Sequence, residues 1–561
     1  MKSEGKNTKI APLVAKILAS RGIKTATAQR DFLDPDYDKM KHDPFRLWDM
    51  KKAVTRIKKA LKNNEKITIY GDYDIDGMTA TVVLWESLRK FGLEVETYTP
   101  DRFSEGYGLN VDAVEKLAAD GTKLIITVDN GTLSFDEIKR AKELGVDVIV
   151  TDHHQPLDEL PSAVAVLNPK RADNQYPFND LAGCGVAFKL IQALQTELDG
   201  LPDGQEKWLL DLVAMGTVCD AVGLIDENRA NVKWGLEVLK KTRRPGLKAL
   251  LSVACVELKN VDARTLGFVL GPRLNAAGRL ETAEMALELL KTDNNARALE
   301  LAEKLDDLNR ERRQVQDEIF IAASTQIIET DPVAIAVGDD WHEGVIGIVA
   351  AKILEKFERP AFVLSRGAEF TKGSGRSFGE FSCAAALHHT AEIIEKGGGH
   401  LAAGGLTLRS EKINEWRAAI QDYYGSLNLK NQTEFLMPKS DVVLENFADL
   451  TPELLDEIKQ LEPFGYGNRT PVFEFSNVLI LGRRIMGAGQ NHVRYTFADS
   501  EGQKFTAVAF DAIDKFTLEP FDLDAHSQHA RVMVELMANE WNGVTRVEGR
   551  LLGMNLAESN Y

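Results

Sequence analysis

The chain has 561 residues, which suggests roughly three or four domains and enough length for several cores. Its net charge of −17 argues against a broad electrostatic grip on nucleic acid and leaves room only for local basic sites. The four cysteines (Cys184, Cys219, Cys255 and Cys383) form no CxxC pair, which excludes a cysteine zinc site or a disulfide framework and suits a reducing compartment. The opening Met1-Lys2-Ser3-Glu4-Gly5-Lys6 leads into a charged amphipathic segment rather than a signal-type apolar run, and no stretch is apolar for long enough to span a bilayer. The expectation is a cytoplasmic protein without a membrane.

Residues from about 8 to 62 read as helical, with Lys51, Lys52, Lys58 and Lys59, beside Arg56, as a solvated face and only secondarily a DNA-facing one. From Lys66 strands and helices alternate. Apolar strands at 67–70, 93–98, 124–128 and 146–150 are separated by helices that stop at Gly92, Gly121 and Gly145. This is the pattern of βαβ units and a largely parallel sheet.

Three of those strands end in acids: Asp72, Asp74 and Asp76 in Tyr70-Gly71-Asp72-Tyr73-Asp74-Ile75-Asp76-Gly77, then Asp129-Asn130-Gly131, then Asp152-His153-His154. Each has a plainer reading alone, as an acidic turn or a helix cap. Right-handed crossovers, however, put the carboxyl ends of parallel strands along one edge, where open α/β sheets bind ligands. Carboxylates and imidazole gathered there suit a hard divalent cation. A further apolar helix, 208–218, ends at Cys219-Asp220, and Asp220 would be costly to bury unless it joined the same cluster.

A long charged helical pattern covers 290–329, with Leu301, Leu305, Leu308 and Ile319 on one face, and reads as a solvent-exposed connector. A second α/β unit begins with a strand at 333–337, a helix at 344–357 and a strand at 361–364. Gly373-Ser374-Gly375-Arg376-Ser377 follows as a Gly/Ser turn able to cradle phosphate with backbone N–H groups and a guanidinium. After a polar stretch at 428–440 and a helix at 453–461 come short strands at 472–475, 478–481, 493–497, 506–510, 531–536 and 545–551. That spacing fits a small barrel such as an OB-fold, with Arg483, Arg484, His492 and Arg494 as possible strand contacts. The expected divisions are a helical segment (1–62), a catalytic domain (63–290), a connecting helix (291–329), a second α/β domain (330–427), and a linker with the barrel (428–561).

Taken in order, the aspartates at 72–76, Asp129, Asp152-His153-His154 and Asp220 resemble the motifs of the DHH phosphoesterase family, and Gly397-Gly398-Gly399-His400-Leu401-Ala402-Ala403-Gly404 resembles that of its accompanying DHHA1 domain. Gly271-Pro272-Arg273-Leu274-Asn275-Ala276-Ala277-Gly278-Arg279, Trp341-His342-Glu343-Gly344-Val345-Ile346-Gly347 and Ser374-Gly375-Arg376-Ser377 are similar to the single-strand-specific 5′→3′ DNA exonucleases of that family. The resemblance covers nearly the whole chain. It implies that Asp74, Asp76, Asp129, His153 and Asp220 hold two Mn²⁺ or Mg²⁺ ions, with Asp129 as a bridge and Asp72 either a ligand or behind the ligands. Tyr70 stands where a related pyrophosphatase branch has a histidine. His154 would contact the scissile phosphate. Ser374, Arg376 and Arg102 would form a 5′-phosphate pocket, while Arg273, Asn275, Arg279 and His400 would contact the strand.

The resemblance further implies single-stranded DNA as substrate, a single-strand-binding protein and a helicase as partners, and a monomer. Two cations of this kind can activate water and stabilise charge on the attacking and leaving oxygens of a phosphodiester. A family member acting on small nucleotides or pyrophosphate is the alternative enzyme. A non-catalytic nucleic-acid-binding scaffold is the alternative of another class. A motor is disfavoured, because no GxxxxGK[ST] loop occurs.

Overall fold

A computed structural model of the chain describes residues 10–429, 432–487, 489–510, 528–541 and 544–556, so the Met1–Lys6 opening lies outside the described residues. The chain divides into two compact units. The first contains Thr25–Arg310 and Leu461–Arg469; the second contains Ile10–Lys24, Glu311–Gln460 and Thr470 onward. Among the described residues, no helix is long and apolar enough to cross a membrane.

The first unit is built on a parallel sheet of β1 (Ile67–Tyr70), β2 (Val95–Tyr98), β3 (Leu124–Val128), β4 (Asp147–Thr151) and β5 (Ala165–Leu167), in the order β2-β1-β3-β4-β5. The period-2 alternation of side chains sends Ile67, Ile69, Leu124, Ile126 and Ile149 into one core, and Tyr70, Ile125, Val148 and Val150 into another. Both faces are therefore buried, each large aliphatic contributing about 1.5–3 kcal/mol, which is why β1 and β3 read as continuous apolar runs. β2 and β3 flank β1 on opposite sides, so the strand order reverses at the β1/β3 pair, where such sheets open a ligand crevice. β1 and β3 are the strands that lead into Asp72–Asp76 and Asp129.

The expected helix at 208–218 begins as a 3-10 turn, Gln205–Leu209, before the α-helix Leu210–Cys219. Residues 461–469 return to this unit because Arg229 on the helix Asp226–Leu239 binds the carbonyls of Leu461 and Glu462 (3.1 and 2.9 Å) and the Leu224 N–H donates to the Tyr466 carbonyl (2.8 Å). The long helix runs Asn295–Ser324. It is less exposed than a free connector, since Ala298, Leu301, Ala302 and Leu305 fill one side of the first unit's core. Leu299, on the polar side, stays 45% exposed.

In the second unit β6 (Ala334–Asp339), β7 (Ala361–Arg366), β8 (Phe370–Arg376), β9 (Lys396–Gly399) and β10 (Ala403–Arg409) form a mixed sheet, β6-β7-β8-β10-β9, with only β6–β7 parallel. Its core gathers Ile335, Phe362, Leu364 and Trp416. The barrel uses β11 (Val442–Leu444), β12 (Val472–Met486), β13 (His492–Ala498), β14 (Lys504–Ala509), β15 (His529–Trp541) and β16 (Val544–Leu556). β12 also pairs with β15, so five strands close on themselves and β11 adds in parallel to β12. Two expected strands, 472–475 and 478–481, are one continuous β12 with a register shift between Phe475 and Val478. The shift leaves Ser476 and Asn477 outside the ladder, which is why the sequence there reads as a break.

Candidate metal centre

Asp74 caps the helix Ile75–Lys90, its Oδ1 accepting from the N–H groups of Asp76 (2.8 Å) and Gly77 (3.1 Å). Asp76, in the first helical turn and fully buried, is held from the other side. Its Oδ2 accepts from the Gly183 N–H (2.6 Å) and its Oδ1 from the Cys184 N–H (3.0 Å), at the start of the helix Gly183–Gln195. Asp129 follows β3 in a left-handed conformation with φ of 61°. A Cβ on Gly183 would lie 2.7 Å from the Asp129 Cβ, so only glycine lets that helix start against it.

Beyond β4, the Asp152 carboxylate collects four donors: the N–H groups of His153 (2.7 Å), His154 (3.1 Å) and Thr132 (2.9 Å), and His154 Nδ1 (2.7 Å). Burial alone would raise its pKa, but His154 and Thr132 hold it well below the usual carboxylate range. Asp152 is satisfied and serves to aim His154. For His154, burial opposes protonation, while the hydrogen bond and charge of Asp152 and the charge of Asp72 outweigh it and raise its pKa.

The remaining groups are not satisfied. His153 Nε2 lies 3.0 Å from Asp129 Oδ1, 3.5 Å from Asp220 Oδ2 and 3.9 Å from Asp76 Oδ2. Neither ring nitrogen of His153 has a hydrogen-bond partner, nor do Asp129 Oδ1 and Asp72 Oδ1. Burial first, then mutual repulsion, raises the pKa values of Asp72, Asp74 and Asp129, and pushes Asp220 up to about 9. Burial lowers that of His153. A buried cluster of unpaired carboxylates is expensive unless cations neutralise it.

The potential ligand atoms form three overlapping sets: Asp76, His153 and Asp220; Asp72, Asp74 and Asp129; and Asp129, His153 and His154, each within 4.8 Å. The residues therefore fit divalent cations, with Asp129 common to two sets. Tyr70 offers no ligand there, for its hydroxyl donates to the Gly108 carbonyl (3.0 Å) and its ring stacks on Tyr98.

The other expected residues fall in different settings. Arg102 lies over the Tyr73 ring (5.0 Å), beside the acid cluster. Arg273 is anchored by Asp306 (2.9 Å) and the Val269 carbonyl (2.7 Å). Asn275 Oδ1 is buried without a partner, and Arg279 shares its helix, Gly271–Leu280. Ser374 and Arg376 do not lie on a turn. They are on β8, paired with β7 on one side and β10 on the other, so the ladder uses the backbone groups expected to cradle phosphate. What remains for an anion is the two side chains, Arg376 Nη1 lying 3.2 Å from Ser374 Oγ. Both pack on Gly347 of the helix Glu343–Phe357, whose Cβ would come within 2.9 Å of Ser374 Oγ. His400, exposed, sits in the tight turn between β9 and β10, its N–H bonded to the Ala403 carbonyl (2.7 Å).

Sequence reasoning missed Tyr107, whose hydroxyl donates to the Asp129 carbonyl (3.1 Å) and lies 3.2 Å from His154 Nε2. Its signal was an aromatic between Gly106 and Gly108 in the loop after β2.

Residues 66–217 match the DHH family N-terminal domain, 330–426 the DHHA1 domain and 441–552 the RecJ OB domain. The chain is 39% identical over 551 residues to the single-stranded-DNA-specific exonuclease RecJ of Bacillus subtilis (strain 168), covering 97% of this chain and 68% of that one. The chain belongs to the RecJ family. Its fold is similar to the crystal structure of RecJ from Thermus thermophilus in complex with Mn²⁺, with a TM-score of 0.81 and 28% identity, covering 98% of this chain and 76% of that one. The structure of RecJ from the same organism in complex with Mg²⁺ gives a TM-score of 0.77 at 27% identity, covering 98% and 75%. RecJ structures have thus been obtained with each of the two cations that the unsatisfied acids here would suit.

Proposed function

We propose that the protein is a metal-dependent exonuclease that degrades single-stranded DNA from its 5′ end to 5′-mononucleotides, in recombination and repair. The observation that carries this reading is the meeting of Asp129 Oδ1 and His153 Nε2, both unpaired, inside a ring of buried aspartates. Asp76, His153 and Asp220 would hold one Mn²⁺ or Mg²⁺, and Asp72, Asp74 and Asp129 a second, with Asp129 Oδ1 3.0 Å from His153 Nε2 where the two groups meet. Bound there, the cations would supply water activation near neutral pH and charge stabilisation on the phosphate oxygens.

The chain's own residues do the rest. Asp152 fixes the His154 ring and favours its protonated form, which can donate to a phosphate oxygen. Tyr107 bonds the Asp129 carbonyl and steadies the left-handed turn. Ser374 and Arg376, with Arg102, would bind a terminal 5′-phosphate, and Arg273, Asn275, Arg279 and His400 the following strand. Residues 63–290 would carry the chemistry, 330–427 the end recognition, and the barrel within 428–561 the downstream strand. A cytoplasmic monomer, working with a single-strand-binding protein and a helicase, rests on the family resemblance.

Digestion of 5′-labelled and 3′-labelled single strands with Mn²⁺ tests this. Early release of labelled mononucleotide only from the 5′-labelled strand is expected. Equal attack on circular single strands overturns it.

A further inference from the structure

Two helices of the first unit carry acids of the metal centre at one end and a second cluster at the other. Ile75–Lys90 begins beside Asp74 and Asp76 and ends in Glu86, Arg89 and Lys90; Leu210–Cys219 ends at Asp220 and begins with Asp211. Glu86 lies ten residues after Asp76, about 15 Å along the helix axis. There the half-buried Arg244 ties both helices together, reaching Glu86 (2.8 Å) and Asp211 (3.1 Å).

Beside that tie lies a cavity of about 530 Å³ lined by Trp85, Arg89, Trp208, Arg243, Lys291 and Asp293, among others. Its volume falls in the range of small-molecule sites. Glu86 and Asp211 neutralise Arg244, and Glu86 also pairs with Lys90 (2.8 Å). Among the described residues no carboxylate is within ion-pair distance of Arg89, Arg243 or Lys291, which leaves three cations facing one acid, Asp293.

Aromatic faces hold these cations instead. Arg89 and Lys291 each lie 4.6 Å from the Trp85 ring centre, and Arg243 lies 4.5 Å from that of Trp208. Such contacts leave the guanidinium N–H groups of Arg89 and Arg243 free to donate to an anion, and they present flat guanidinium and indole surfaces on which a planar ring can stack; the Lys291 ammonium donates to Thr97 Oγ1 (3.0 Å) and keeps its other N–H groups for the anion. Burial, then the neighbouring Arg89, lowers the Lys291 pKa, an unfavourable setting that an anion would relieve.

We propose that this cavity is a second nucleotide site, separate from the metal centre, in which Arg89, Arg243 and Lys291 take the phosphate and the Trp208–Arg243 layer takes the base. The nucleotide is either a free nucleoside monophosphate or part of a single strand, and the two share the recognising chemistry. Binding in this cavity does not require hydrolysis at the metal centre.

The test titrates the full chain in EDTA with dAMP or with (dT)6 and follows tryptophan fluorescence. The part of the quenching that disappears in Trp208→Phe reports the cavity. The midpoint for that component should weaken roughly tenfold in Arg243→Gln, an exposed position whose change leaves the fold intact, and again in Arg89→Gln/Lys291→Gln. A Trp208-dependent signal with dAMP assigns the free nucleotide, and one with (dT)6 alone assigns the strand. Quenching by both ligands that is unchanged in Trp208→Phe, midpoints indifferent to the cation variants, or an equal response to inorganic phosphate would each overturn the proposal.

Discussion

His153 Nε2 and Asp129 Oδ1 lie 3.0 Å apart, both buried, and neither makes a hydrogen bond. Two polar atoms left so close without a shared proton mark a place where the fold spends stability on a ligand. Adding Mn²⁺ to EDTA-treated protein should therefore raise the melting temperature of the first unit. At a hundredfold excess over Kd the gain is about 2.7 kcal/mol, roughly 4 °C for a unit of this size, read by differential scanning fluorimetry. An unchanged melting temperature would mean that the cluster binds no cation.

Asp129→Asn should act in opposite directions with and without metal. Without metal it removes a carboxyl whose ionisation burial and the neighbouring aspartates oppose, and it should stabilise the protein. With Mn²⁺ it weakens a residue common to two ligand sets. Activity should fall by more than the roughly 100-fold typical of residues behind the ligands. Denaturant melts in EDTA and in Mn²⁺ check the reversal.

Asp152→Asn separates aiming from ligation. The amide cannot hold the His154 ring as a carboxylate does, so turnover should drop about 10–100-fold. Asp152 belongs to none of the three ligand sets, so the number of Mn²⁺ ions bound per chain should not change. Calorimetric titration beside steady-state kinetics distinguishes the two, and a lost ion would refute the assignment.

Arg376→Met should raise KM for strands ending in a 5′-phosphate. Losing a charge-assisted hydrogen bond to phosphate costs about 1.5–3 kcal/mol, roughly 10–150-fold. Strands ending in a 5′-hydroxyl should be affected far less. Equal loss on both ends would place Arg376 elsewhere in the reaction.

In the barrel, Arg531 grips Glu474 with two hydrogen bonds (2.7 and 2.8 Å), and these lower the Glu474 pKa. A folded pKa below the unfolded value of about 4.3 means the stabilisation is complete above that pH and is lost as pH falls through the folded value. Arg531 is half exposed, so screening limits the pair to about 1 kcal/mol or less. Arg531→Met should melt lower than the parent at pH 7 and converge with it as pH falls through the lowered Glu474 pKa. Thermal melts across that range check the sign.

Asp72–Asp76, Asp129 and Asp152 were legible because each follows a strand, and apolar four- and five-residue runs announce buried parallel strands. The order β2-β1-β3-β4-β5, which brings Asp76 and Asp129 to neighbouring strands, was only implied by connection rules. Ser374 and Arg376 were misplaced because Gly-Ser-Gly reads as a turn locally. Pairing with β7 and β10 makes it a strand, and no local signal carries that pairing. The barrel strands were split for a similar reason, since a bulge looks like an ending until β15 is seen to pass beside it.

By itself the sequence determined which residue types were available and in what order: a parallel α/β core, acids and histidines at its strand ends, and a small β-domain near the carboxyl end. These follow from periodicity and spacing, which are properties of neighbours along the chain. Only the tertiary structure decided that Asp152 is satisfied while Asp129 and His153 are not. It also decided that Tyr107 reaches His154 and that three cations gather on tryptophans at the far ends of the metal-bearing helices. Hydrogen-bond satisfaction depends on which atoms meet across distant segments, and that is settled only when the chain has packed.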